Sequence, residues 1–197
     1  KTGEPFTFGT FPQGSVPDVL LRYWLRDVGV DPDENDSVEI IEISGASSVW
    51  QAIANDEIDG TSIMEPVPTI AQAEGSSVTM LRTAAEVLPG QPAAVTLMSD
   101  AVRDSPLAAQ FLEQHVRATE FIGEEPDATA EHVNEGIGMP VDRARKALDS
   151  PLSNFVPDPN AITDATQVFS EFAAGNDQID EQLSTDEIFD LGVYDSL

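Results

Sequence analysis

The period of the apolar positions changes repeatedly along the first half of the chain. Phe6-Thr7-Phe8-Gly9-Thr10-Phe11 alternates with the two-residue period of a strand. Pro12-Gln13-Gly14-Ser15 interrupts it, and Val16, Leu20, Leu21, Trp24, Leu25 and Val28 then share one helical face, with Ser15 placed to cap the helix and Gly29 to stop it. Val38-Glu39-Ile40-Ile41-Glu42-Ile43 predicts a second strand. Ser48-Val49-Trp50-Gln51 has the spacing of a capping box, opening a short helix to about Asn55. Asp59 to Met64 predicts a third strand, Pro66 opens a helix that ends before Gly75, and Val78–Leu81 predicts a short fourth strand. Ala93 to Met98 is a continuous apolar run suited to a buried strand. Strand and helix in alternation predict an α/β lobe with a mostly parallel sheet over residues 6–98.

After Ser99 the pattern turns helical. Ser105-Pro106 is a cap followed by proline at the first helical position, and Leu107, Phe111, Ala118, Phe121 and Ile122 follow at helical spacing. Further helices are predicted near 127–135, 141–148 and 161–174, so residues 99–197 read as a helical region without strands.

Composition removes several functions. With no cysteine among 197 residues, thiolate metal sites, disulfides and cysteine nucleophiles are impossible. No apolar run is long enough for a membrane span. The chain carries 36 acidic against 9 basic residues, a net charge of −27, so the basic stripe that nucleic acid requires is missing. The acidic residues are spread over every segment, and only Lys1 and Lys146 are lysines. A surface of this kind is the expected adaptation to concentrated salt, where charge repulsion is screened within about 3 Å at 1 M. The charge then reports habitat, not a cationic ligand. No signal-peptide pattern opens the sequence, so an export signal is expected to have been removed or never present.

Candidate chemistry concentrates in the turns after the strands. Gly14 and Ser15 sit between the first strand and first helix, and Gly45-Ala46-Ser47-Ser48 holds the same place after the second. A helix beginning there offers backbone N–H groups and a positive dipole end to a small anion, and a parallel sheet brings both turns to its carboxyl edge. Glu65 ends the third strand at the same edge and could accept hydrogen bonds from an amine or hydroxyl. Gly14, Ser15, Ala46, Ser47 and Glu65 are therefore the candidate ligand-binding residues. No hydrolase elbow, phosphate-binding loop or zinc-protease motif occurs. His115 and His132 read as helix-surface residues. Asp31, Asp33, Glu34 and Asp36 could group around a metal, although their spacing fits no calcium loop. An acidic α/β enzyme stands as the alternative, such as a metal-dependent hydrolase using Asp18, Asp59 or Glu65.

The order of these pieces resembles the substrate-binding proteins of ABC importers for nitrate, sulfonates, taurine and thiamine-pyrimidine precursors. The corresponding pieces are Gly14-Ser15, Gly29-Val30-Asp31-Pro32, Asp56-Glu57-Ile58-Asp59-Gly60, Met64-Glu65-Pro66 with Ala71 and Gly75, Pro106 with Phe111-Leu112 and Ala118, Glu125-Pro126-Asp127-Ala128, and Phe189-Asp190. The resemblance implies a type II periplasmic-binding fold, here the second lobe followed by C-terminal helices that in the family return to the first lobe, with that first lobe missing. It implies a non-enzymatic, extracytoplasmic protein that captures a small polar or anionic solute, such as a sulfonate or nitrate, in an interlobe cleft and delivers it to a membrane permease. No cofactor or metal is expected. Val67 stands where the family usually carries an aromatic residue after Glu-Pro. Without its first lobe the chain is expected to expose Leu107, Phe111 and Phe121, to self-associate and to bind solute weakly.

Overall fold

The computed structural model describes residues 3–75 and 77–197. These divide into two compact units. One runs to Pro89 and includes Phe172–Asp180; the other comprises Gly90–Glu171 and Glu181–Leu197. The division thus falls earlier than residue 98, and the first unit takes back a short C-terminal segment.

The first unit is built on a parallel sheet of β1 (Phe6–Thr10), β2 (Val38–Glu42) and β3 (Gly60–Thr61), in the order β2-β1-β3. Phe8 lies opposite Ile40 and Gly60, and Gly9 opposite Ile41 and Thr61. Helix α1 (Val16–Asp27) connects β1 to β2, and α2 (Ala46–Ala54) connects β2 to β3. The crossover from β1 to β2 and the one from β2 past β1 to β3 run in opposite directions along the sheet, which for right-handed connections places their helices on opposite faces. On one face Phe8 packs with Leu21 and Leu25 of α1, flanked by Trp24, Val30, Val38 and Ile40. On the other, Gly9 leaves space filled by Ile43 and Ile58. Helices α3 (Val67–Ala73) and α4 (Ala84–Val87) complete this unit, α4 opened by a reciprocal Thr83–Glu86 capping box.

The second unit contains α5 (Asp100–Arg103), α6 (Pro106–Glu124), α7 (Pro126–Ile137), α8 (Val141–Leu148), the first turns of α9 (Thr163–Gly175) and α10 (Thr185–Ile188), with 3₁₀ turns at Pro159–Ile162 and Tyr194–Ser196. The fully buried apolar positions of α6 to α9 are Ala108, Ala130, Ala144 and Ala165. Small residues let these helices approach closely while their larger side chains stay outside. Arg145 of α8 joins Asp127 of α7 at 2.6 Å and also pairs with Asp149.

Three sequence expectations fail. Residues 78–81 and 93–98 form no strand, and Leu97 is 90% exposed. An apolar run becomes a strand only where a ladder partner exists, and neither segment has one among the described residues. The third strand is only two residues long. Before it, the Asp59 N–H donates to the Thr7 carbonyl at 2.8 Å while its carboxylate accepts the Thr7 N–H at 3.0 Å, and after it the Ser62 carbonyl accepts the Thr10 hydroxyl at 3.4 Å, so side chains take part in the pairing at both ends. Helix α2 starts at Ala46 behind Gly45 (φ 89°), three residues before the position that the Ser48–Gln51 capping box required. Gly45 can adopt this backbone angle at no steric cost, and that sets the start.

A Cβ on Gly60 would lie 2.9 Å from the Phe8 ring and 3.0 Å from the Phe6 ring, whereas the two nearest atoms to one on Gly9 are the flexible Cδ1 ends of Ile58 and Ile43, with the Ile58 Cγ2 methyl at 3.3 Å. Gly60→Ala should therefore destabilise the first unit by about 1–3 kcal/mol, and Gly9→Ala by less. Urea unfolding followed by Trp24 and Trp50 fluorescence checks the order; equal costs would contradict this packing.

Candidate functional site

The carboxyl ends of all three strands are tied together at Thr10, which is 0% exposed. Its carbonyl accepts the Ile43 N–H at 2.7 Å, and its hydroxyl donates to the Ser62 carbonyl. The segments after β1, β2 and β3 therefore share one edge; of the sequence-predicted positions Gly14, Ser15 and Glu65 lie in the turns, and Ala46 and Ser47 open α2 directly behind the second. Thr10 itself was missed. Its alternation within β1 marked it only as one more sheet residue, and the crosslinking needs the β2 and β3 registers to be known.

In the turn between β1 and α1 three backbone donors are engaged within the chain. Gln13 N–H donates to Glu42 Oε1 at 2.8 Å, Gly14 N–H to Asp18 Oδ2 at 3.0 Å, and Ser15 N–H to the Pro12 carbonyl at 3.0 Å. Pro17 removes another donor from the first turn of α1. Gly14 has φ +82°, so this turn needs glycine there. Ser15 occupies the N-cap position, but its side chain makes no capping bond, and its buried hydroxyl has no hydrogen-bond partner. The Thr61 hydroxyl of β3 is buried and unpartnered in the same way. At α2 the N-cap is Gly45, so no side chain caps the helix whose first two residues are Ala46 and Ser47. Glu65 turns to its own helix: its two carboxylate oxygens accept the Thr69 N–H at 3.2 Å and the Thr69 hydroxyl at 3.1 Å.

Asp18 is 1% exposed and fixes this geometry from below. Besides holding Gly14 it accepts Arg22 Nε at 2.9 Å; Arg22 reaches Asp33 at 2.8 Å, and Asp33 meets Arg26 at 2.8 Å. Arg26 also approaches Asp31 at 3.3 Å and lies over the Phe172 ring, 5.5 Å from its centre. Burial alone would lower the Arg22 pKa, but its hydrogen bonds and charge contacts with Asp18 and then Asp33 outweigh it and hold the guanidinium charged. The backbone N–H of Asp33, followed by Arg26, keeps the Asp31 carboxyl below the usual aspartate range.

The enzyme alternative loses its constellation here. Asp18 is committed to Gly14 and Arg22, Asp59 precedes β3 at the opposite, amino end of the sheet, and Glu65 is bound to Thr69. Asp31 and Asp33 are paired with arginines, and no group of three or more metal-ligating side chains occurs among the described residues. His115 and His132 lie on α6 and α7, each beside a phenylalanine ring. The second unit carries a separate depression of about 480 Å³, lined in part by Leu97, Met98, Leu107 and Phe111. It is apolar and holds none of the candidate residues.

The model of the NMT1-like family matches residues 1–137. Curated protein sequences give no significant match. Among solved structures, the ligand-binding component of an ABC-type import system from Staphylococcus aureus, solved with zinc bound, superimposes with a TM-score of 0.78 at 13% identity. The match covers 98% of this chain and 64% of that one, so the chain spans less than two thirds of the length of the protein it matches.

Replacing Asp18 should cost more than any other single change at this edge. Asp18→Ala leaves Gly14 N–H and a largely buried Arg22 without their shared acceptor, a loss of about 3 kcal/mol. Asp18→Asn keeps one acceptor oxygen and should cost less. Chemical denaturation of both variants measures this, and an Asp18→Ala midpoint at the wild-type value would contradict it. Motif order, the three-strand parallel sheet and the family model agree, and the chain belongs to the NMT1-like family, with the fold of an ABC-importer ligand-binding component.

Proposed function

We propose that the chain is the solute-binding component, or the larger part of one, of an ABC importer, and that it does no chemistry on what it binds. The observation that carries this is the convergence of three post-strand turns on Thr10 at one sheet edge, with two buried hydroxyls, Ser15 and Thr61, left without partners there. In open α/β sheets, small molecules bind outside the carboxyl ends of the strands where the order reverses, and here it reverses about β1. The bound solute is handed to a permease, and the protein works on the outer side of the membrane. No helix among the described residues is long and apolar enough to cross one.

The edge offers hydroxyls, carboxylates and the uncapped first turn of α2, which suits a small polar solute. Resemblance of the motifs supports a sulfonate or nitrate. Zinc, present in the Staphylococcus aureus protein, is not supported as the cargo here, since the described residues bring together no set of donors for it. Exposed Leu107 and Phe111 support self-association of the chain through the second unit.

Native mass spectrometry of protein purified without ligand stripping tests the reading. A discrete small-molecule adduct that is lost on denaturation is the expected result. A chain that carries no adduct, and turns over a substrate in a metal-dependent way, would overturn it.

A further inference from the structure

Resting on the reading above that the protein works on the outer side of the membrane, we propose that Asn35 is the acceptor of an N-linked glycan. Of the six asparagines in the chain, only Asn35 has a serine or threonine two residues on, in Asn35-Asp36-Ser37, and the residue between them is not proline. The triplet lies in the loop between α1 and β2, where Glu34, Asp36 and Ser37 are exposed and Asn35 is partly exposed. Transfer of a sugar asks two things of the side chain: a nitrogen that is not already spent, and an amide that can give up a proton. An amide nitrogen is a poor nucleophile because its lone pair is shared with the carbonyl. When the proton leaves, the negative charge falls on the carbonyl oxygen, so donors aimed at that oxygen ease the loss. Asn35 Oδ1 accepts two, the Ser37 N–H at 2.9 Å and the Ser37 hydroxyl at 2.6 Å. Its Nδ2 donates no hydrogen bond among the described residues, whereas Asn134, Asn160 and Asn176 spend theirs on Met139, Asp158 and Phe172.

The backbone of the triplet is tied down while that nitrogen is left over. The Asn35 carbonyl accepts the Val38 N–H at 3.1 Å, and the Ser37 carbonyl accepts the Phe6 N–H at 2.8 Å. Just before it, Asp33 is held by Arg22 and Arg26. The Asn35–Ser37 bonds span three residues, so they form without the rest of the fold and serve transfer before or after folding. The donor is a sugar joined through its anomeric carbon to a lipid phosphate. The bond from Nδ2 to the anomeric carbon forms as the bond from that carbon to the phosphate oxygen breaks. The lipid phosphate leaves with the electron pair, the Nδ2 proton goes to a base of the transferring enzyme, and nothing is oxidised or reduced. The loop precedes β2, so it lies at the amino edge of the parallel sheet, away from the turns that follow the strands. A bulky, hydrated glycan there leaves the carboxyl edge open to a solute.

The test uses the whole chain, purified from its own cells with the protein on the outer side of the membrane kept apart from the cytosol. Peptide mapping by mass spectrometry reads the segment around Asn35, and fragmentation assigns any added mass to a residue. In the outer fraction that peptide should carry a series of masses spaced by sugar units, with the first sugar on Asn35. Asn35→Asp keeps Oδ1 and its two donors but has no nitrogen, and should lose the added mass completely. Ser37→Ala should lose most of it, and Ser37→Thr, which keeps the hydroxyl, should retain it. If Asn35 is unmodified in protein recovered from the outer side, or the sugar sits on Ser37 or survives Asn35→Asp, the modification is overturned while the location stands; the wild-type map decides this whether or not a variant folds. If the protein is found only in the cytosol, the outer-side reading falls, and this inference falls with it.

Discussion

A buried carboxylate at the start of a helix is the constraint on which the first unit depends. Asp18 cannot be taken out of water alone, so it must be paired and hydrogen-bonded. The pairing draws Arg22 down α1, Asp33 and Arg26 follow, and the loop after Gly29 is fixed against the helix. The hydrogen bonding draws Gly14 inward and sets the turn that leaves β1. One side chain thus connects the loop on the far side of the helix to the shape of the sheet edge. Thr10 plays the complementary part from within the sheet, carrying that shape across to β2 and β3.

The same constraint bears on function. A helix N-terminus is commonly read as an anion site because its amides are free. Here the chain has supplied its own anion at α1, and Glu65 does the same through Thr69 at α3. The edge keeps the topology of an open α/β sheet, with carboxylates of the chain itself bonded at the turns into α1 and α3 and no side-chain cap at α2. Membership of the NMT1-like family and the likeness to a solved import component fix the fold.

Much of this was legible in the sequence because it was local. Apolar spacing from Val16 to Val28 placed α1 to within a residue, Ser15 marked its start and Gly29 its end. Prolines at 106, 126 and 140 bounded the later helices for the same reason. What failed was non-local. Whether Ala93–Met98 becomes a strand depends on a neighbour in the sheet, not on its own hydrophobicity. The shortness of β3 depends on Asp59 and Thr10 reaching across to other strands. The candidate site was legible as a set of positions, since the turns after parallel strands must share an edge. Its occupancy was not, because a carboxylate four residues beyond a glycine reads as helix surface until the turn is seen folded back on it.

Hydrogen exchange, compared between natively purified and exhaustively dialysed protein, tests the placement of the site most directly. Protection in the natively purified protein should rise together in three segments, residues 11–15, 43–47 and 62–66, because Thr10 links them at one edge. A change confined to residues 96–111 of the apolar depression, or no change in the three turns despite a bound solute, would contradict a binding site at the carboxyl edge of the sheet.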